Sequence, residues 1–129
     1  MSIANITGIW SGIIRYGQSY SRSMRNQLLY FEAKFERKGH IISGIAEDIE
    51  GRGFNPEPAT LSGTVNDLEI EFTKQYLNVK EDGSFSKPEV FYQGIYNADK
   101  DSFSGNWSFG NASLGSGTWV MVRKKDDIE

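Results

Sequence analysis

The sequence predicts an all-β fold, an eight-stranded antiparallel up-and-down β-barrel, on three observations. Apolar and polar residues alternate with a period of two along most of the chain, and no stretch keeps a helical period for long. Short and long connections alternate strictly, so one end of an up-and-down sheet carries tight turns and the other carries loops. Glycines recur among large rings on the proposed inner face, as a tightly coiled small barrel requires. A two-layer β-sandwich with glycine bulges is the alternative. Closure of the sheet would leave no exposed strand edges.

The elements follow in order. The first strand, about 6–16, sets Gly8, Trp10, Gly12 and Tyr16 on one face and Ile9 and Ile13 on the other. A loop from Gly17 to Arg25 leads to the second, about 26–37, where Leu29, Phe31, Ala33 and Phe35 alternate with Tyr30, Glu32, Lys34 and Glu36. Lys38-Gly39 is a hairpin signal into the third, about 40–49, with Gly44, Ala46 and Asp48 inward. A loop from Glu50 to Pro58 precedes the fourth, about 59–65, which turns Gly63 inward. Asn66-Asp67 is the next tight turn. In the fifth strand, about 68–76, Leu68, Ile70 and Phe72 alternate with Glu69, Glu71 and Thr73, which sends Lys74 and Tyr76 inward. The longest connection, Leu77 to Pro88, leads to the sixth, about 89–96, with Tyr92, Gly94 and Tyr96 inward. A short polar turn from Asn97 to Asp101 opens the seventh, about 102–109, with Phe103, Gly105, Trp107 and Phe109 on one face. After Gly110 to Gly115 the eighth, about 116–124, faces Gly117, Trp119 and Arg123 inward and Val120 and Val122 outward.

A chain of 129 residues suits one domain, with an ordered core at about 5–124 and a short charged C-terminal tail. A net charge of −3 without a basic stripe argues against nucleic acid as a partner. No run is apolar enough for a membrane-spanning helix. The N-terminal Met-Ser-Ile-Ala-Asn-Ile lacks the pattern of a secretory signal, and there is no cysteine, so a cytoplasmic location is expected. On that expectation the Asn-x-Ser/Thr triplets at Asn5, Asn106 and Asn111 have no role. His40 is the sole histidine and sits in a tight turn, so no metal site, Ser-His-Asp triad or cofactor is expected. The glycine-rich Gly110–Gly117 stretch has no lysine and leads into a strand, unlike a phosphate-binding loop.

Gly8-Ile-Trp10 near the start and Arg123 near the end resemble the lipocalin kernel of the calycin superfamily, in which the tryptophan of a Gly-x-Trp motif packs beneath an arginine from the last strand. A wider pattern spans nearly the whole chain: Trp10-x-Gly12, Gly44-x-Ala46-x-Asp48, Gly53-Phe54, Leu61-x-Gly63, Phe72-x-Lys74-x-Tyr76, Tyr92-x-Gly94, Gly105-x-Trp107 and Gly117-x-Trp119-x-Met121. It is similar to a lipocalin-like barrel module that also occurs attached to some F-box proteins and in many uncharacterised proteins. The resemblance implies a calycin-type binding barrel, with Trp10 and Arg123 as its floor. An alternative use for Arg123 is to hold a carboxylate inside the barrel, as in some fatty-acid carriers.

At the loop end, Tyr16, Asp48, Lys74, Tyr76, Tyr92, Trp107 and Trp119 are expected to line an aromatic mouth with one carboxylate and one ammonium. Asp48 and Lys74 face inward by parity, where a lone charge is costly. They read either as a buried ion pair satisfied together with Tyr76, or as anchors for a ligand, or as an acid–base pair. The expected function is non-catalytic binding of a small apolar or amphipathic molecule. A peptide-binding module using the same mouth and a small isomerase, with Asp48 or Tyr76 as its acid or base, are the alternatives. Ile9, Ile13, Val120 and Val122 point outward on strands that closure would make neighbours, a strip on which a homodimer could form.

Overall fold

The computed structural model describes residues 5–110 and 115–124. The Asn111 triplet and the charged tail after Lys124 lie outside them. Eight antiparallel strands form one closed barrel: β1 (Gly8–Tyr16), β2 (Leu28–Lys38), β3 (Ile41–Gly51), β4 (Ala59–Asn66), β5 (Glu69–Tyr76), β6 (Val90–Asn97), β7 (Ser102–Phe109) and β8 (Ser116–Arg123). Each strand pairs with its sequence neighbours, and β8 returns to β1 with Trp10 opposite Arg123 and Tyr16 opposite Gly117. The sheet is rolled shut rather than split into two layers.

The strand ends fall within two residues of those expected from the alternation, and the exceptions have local causes. β1 begins at Gly8 rather than at Ile6. Gly8 has φ +137°, a backbone region open to glycine, and the chain turns there so that fully buried Ile6 tucks under the barrel. The Trp10 indole N–H donates to the Ile6 carbonyl at 2.8 Å and fixes this turn. The hairpins at Gly39 and Asp67 take φ of +63° and +53°, the conformation that glycine and aspartate tolerate in two-residue turns. β2 and β3 run to 11 residues each and carry a bulge at Tyr30/Phe31.

The lower lumen is filled with rings. Trp10 packs edge-on to Phe103 at 5.3 Å, and Phe103 meets Tyr96 at 5.0 Å. Above them Phe35 meets Phe72 at 5.3 Å, Phe72 stacks on Tyr92 at 4.7 Å, and Trp119 stands edge-on to both at 5.6 Å. Burial of each such ring contributes about 1.5–3 kcal/mol. Two glycines make this density possible. A Cβ at Gly12 would run into the Phe31 ring, and one at Gly94 would lie 2.8 Å from Trp119. These two inner-face glycines thus hold open space that aromatic rings occupy.

Candidate functional site

The long connections 17–27, 52–58 and 77–89 leave the same end of the barrel, where β7 ends and β8 begins, and the lumen opens there into a cavity of about 130 Å³. Its apolar wall is Ile14, Pro88, Val90, Trp107 and Phe109. Its polar wall is Tyr16, Lys74, Tyr76, Lys87 and Tyr92. Five of the seven residues expected at the mouth therefore converge on one space: Tyr16, Lys74, Tyr76, Tyr92 and Trp107.

The other two stand apart from it. Trp119 faces inward as expected but lies one layer deeper, opposite Gly105, and its indole N–H is shared between the Gln93 and Asn106 carbonyls at 3.1 and 3.0 Å. Asp48 lies behind the wall. It accepts the Tyr76 hydroxyl at 3.0 and 2.8 Å on its two oxygens, and the Asn55 backbone N–H at 3.0 Å. Asn55 in turn donates through its side-chain amide to Asn78 at 2.8 Å. Asp48 is thus a clamp that ties β5 and the 52–58 and 77–89 connections to β3. No direct ion pair joins it to Lys74. The two charges interact only at longer range, so the self-satisfied buried pair is not formed.

Lys74 is the anomaly. It is 3% exposed, and its ammonium sits among the faces of Tyr76, Tyr92 and Phe31 at 4.9, 5.5 and 5.6 Å from their centroids. Cation–π contact compensates part of the lost hydration. Yet none of its three N–H groups reaches a hydrogen-bond acceptor among the described residues. Burial lowers its pKa to about 8, against a smaller opposing pull from Asp48. The Tyr92 hydroxyl, beside it, is also buried and without a partner among the described residues. Burial raises the pKa of Tyr16, Tyr76 and Tyr92, with Asp48 adding to the rise in all three, so they stay neutral and able to donate.

The rim is built from the connections. Tyr20 packs edge-on to Tyr16 at 5.0 Å, Tyr16 packs on Trp107 at 5.7 Å, and the Tyr16 hydroxyl donates to the Arg52 carbonyl at 2.8 Å. Trp107 is itself fixed by an indole bond to the Arg15 carbonyl at 3.3 Å. Parity could have supplied Ile14 and Phe109, which share the inward face of their strands. Lys87 and Pro88 come from an aperiodic loop, where no alternation marks a face.

The opposite end is closed. The Arg123 guanidinium lies 4.4 Å over the Trp10 ring, and each of its nitrogens donates: to Asp101 at 2.8 Å, to the Thr7 carbonyl at 3.2 Å and to the Asn5 carbonyl at 2.7 Å. With Asp101 as its countercharge and every nitrogen already engaged, the guanidinium serves the floor rather than a ligand carboxylate. His40 is exposed in its turn and contacts the Val65 carbonyl through Nδ1 at 3.1 Å. On the outer face Ile13 and Val120 are register partners, with half-exposed Ile9 and Val122 nearby. A larger outer groove, about 850 Å³, crosses β4 to β8 over solvated side chains such as Ser62, Thr64, Thr73, Gln93 and Asn106. Size favours that groove, but the buried Lys74 ammonium and, among the described residues, the buried side-chain atom lacking a partner, the Tyr92 hydroxyl, belong to residues lining the mouth.

These features define a closed up-and-down β-barrel with a sealed floor and a polar-anchored cavity at the loop end. Compared with known protein families and with curated proteins, the chain matches none.

Proposed function

We propose that the chain is a non-catalytic binding barrel that takes one small apolar or amphipathic molecule at its loop-end mouth. One observation carries this reading: a cavity walled by aromatic and aliphatic side chains is lined by an ammonium that has ring faces but no hydrogen-bond acceptor among the described residues, and by Tyr92, whose buried hydroxyl likewise lacks a partner there. Buried polar groups are almost always satisfied, and an unsatisfied one costs stability. A ligand that completes them explains why they are there. The resemblance to the lipocalin-like barrel module supports the same reading.

At about 130 Å³ the cavity is below the roughly 300–1,000 Å³ usual for drug-sized ligands, so the molecule is small. Native mass spectrometry of freshly purified protein is expected to show an added mass that denaturation removes. Neutral aromatic fragments such as benzyl alcohol are expected to shift the Trp107 indole resonance, and Val90→Phe, which fills the cavity, to abolish the shift. No retained mass and no fragment-induced shift in the unaltered protein would sink the reading. A second copy of the chain docking on Ile9, Ile13, Val120 and Val122 belongs to the same proposal. A sedimentation run showing monomer alone at high concentration counts against it.

A further inference from the structure

Resting on the binding reading above, we propose that the molecule is a small organic acid, held with its carboxylate on the Lys74 Nζ and the Tyr92 hydroxyl and its apolar body against Ile14, Val90, Trp107 and Phe109. The charge of the wall sets the sign. Among the described residues, Lys74 and Lys87 are the charged ones lining the cavity, and both are cations. Asp48 acts on Lys74 without an ion pair, does not line the cavity, and already holds the Tyr76 hydroxyl and the Asn55 N–H. An ammonium can only donate, and a neutral phenol most readily does. Both groups therefore ask for an acceptor, and a carboxylate offers two oxygens in charge-assisted bonds.

The size of the cavity sets the rest. It suits an aryl or short alkyl acid of about the bulk of benzoate and excludes a long-chain fatty acid. Arg123 is not the anchor, because it lies at the floor outside this cavity and already pairs with Asp101 and bonds the Thr7 and Asn5 carbonyls. The groups that face Lys74 are Asp48 from β3, Tyr76 from β5, Tyr92 from β6 and Tyr16 from β1, with Lys87 at the rim. Lys74 changes charge between pH 7 and 9, since its pKa lies at about 8, while burial keeps Tyr16, Tyr76 and Tyr92 neutral. Acid affinity in the unaltered protein therefore falls as pH rises through that range.

The test titrates the intact protein with three probes that share one ring: benzoate, benzamide and benzylamine. At pH 7 benzoate is expected to bind at least about tenfold more tightly than benzamide, the scale of a hydrogen bond to a charged group, and benzylamine more weakly still. Lys74→Met is expected to remove the preference for benzoate while leaving benzamide binding in place, and Tyr92→Phe to weaken benzoate several-fold. If Lys74→Met fails to fold, the pH profile of the unaltered protein decides the matter. A loss of benzoate affinity between pH 7 and 9, with benzamide unchanged, supports the assignment. Benzamide or benzylamine binding as tightly as benzoate, or a flat benzoate profile, overturns the acid assignment and leaves the barrel's binding role standing. Failure of all three probes to bind overturns both.

Discussion

The two ends of the lumen each place a cation against aromatic rings, and they treat it in opposite ways. At the floor Arg123 lies over Trp10 and every guanidinium nitrogen has an acceptor, with Asp101 supplying the countercharge at 2.8 Å. At the mouth Lys74 is surrounded by three ring faces and reaches no acceptor. Desolvating a charge is tolerable when hydrogen bonds replace its water, and costly when they do not. The floor therefore holds the barrel together, whereas the mouth holds a group that weakens it. A buried residue that lowers stability fits the proposed work for a ligand. Substitutions at the two ends should differ in sign.

The largest effect belongs to the floor. Trp10 is fully buried, packs on Phe103 and underlies Arg123, so Trp10→Ala is expected to cost about 3–5 kcal/mol in a denaturant titration. A loss under 1 kcal/mol would break the comparison at once.

Next comes the mouth, with the opposite sign. A lysine whose pKa falls from 10.5 to about 8 on folding carries a cost of about 3 kcal/mol at neutral pH, and Lys74→Met should recover much of it. At pH values below about 8 both states hold the proton, and the full cost is present. Between pH 8 and 10.5 the unfolded chain keeps a proton that the native protein has released, so native stability rises with pH. Tyr16, Tyr76 and Tyr92 oppose this above about pH 10, where their unfolded forms ionise and the native ones do not. Denaturant titrations at pH 7 and 9.5 are expected to show a gain in the unaltered protein relative to Lys74→Met. An equal response in both would place Lys74 in contact with water. Smaller again is Arg123→Met, which removes a partly exposed ion pair and a cation–π contact and should cost about 1–2 kcal/mol.

Period-two alternation made the strand order, the closure and the inward set legible, because a barrel repeats one rule along every strand. Trp10 opposite Arg123 follows from the same rule once the first strand meets the last. Parity assigns a face but not a height, and that is where the site reading slipped. Trp119 was expected at the mouth, yet Gly94 leaves room for its indole to lie one layer down against the β6 and β7 carbonyls. Asp48 and Lys74 were brought to the same end, but their pairing depended on Asn55 and Tyr76, which take both carboxylate oxygens first. Lys87, which helps to set the sign of the cavity, sits in a loop with no period to read.

The smallest effect compares two tyrosines on β6, Tyr92 near the mouth and Tyr96 near the floor. The Tyr96 hydroxyl donates to Asp101 at 2.7 Å, inside the network that anchors Arg123. The Tyr92 hydroxyl is buried and bonds to nothing among the described residues. Tyr96→Phe removes a hydrogen bond with a charged acceptor near solvent and should cost about 0.5–1.5 kcal/mol. Tyr92→Phe removes an unsatisfied polar atom and leaves the stacked contact with Phe72, so stability should stay level or rise by up to about 1 kcal/mol. The same Tyr92→Phe protein should bind benzoate less well, which separates stability from binding at a single oxygen atom. If Tyr92→Phe proved the more damaging of the two, the hydroxyl would have to serve the fold, and the contrast between a sealed floor and an unfinished mouth would fail at its sharpest point.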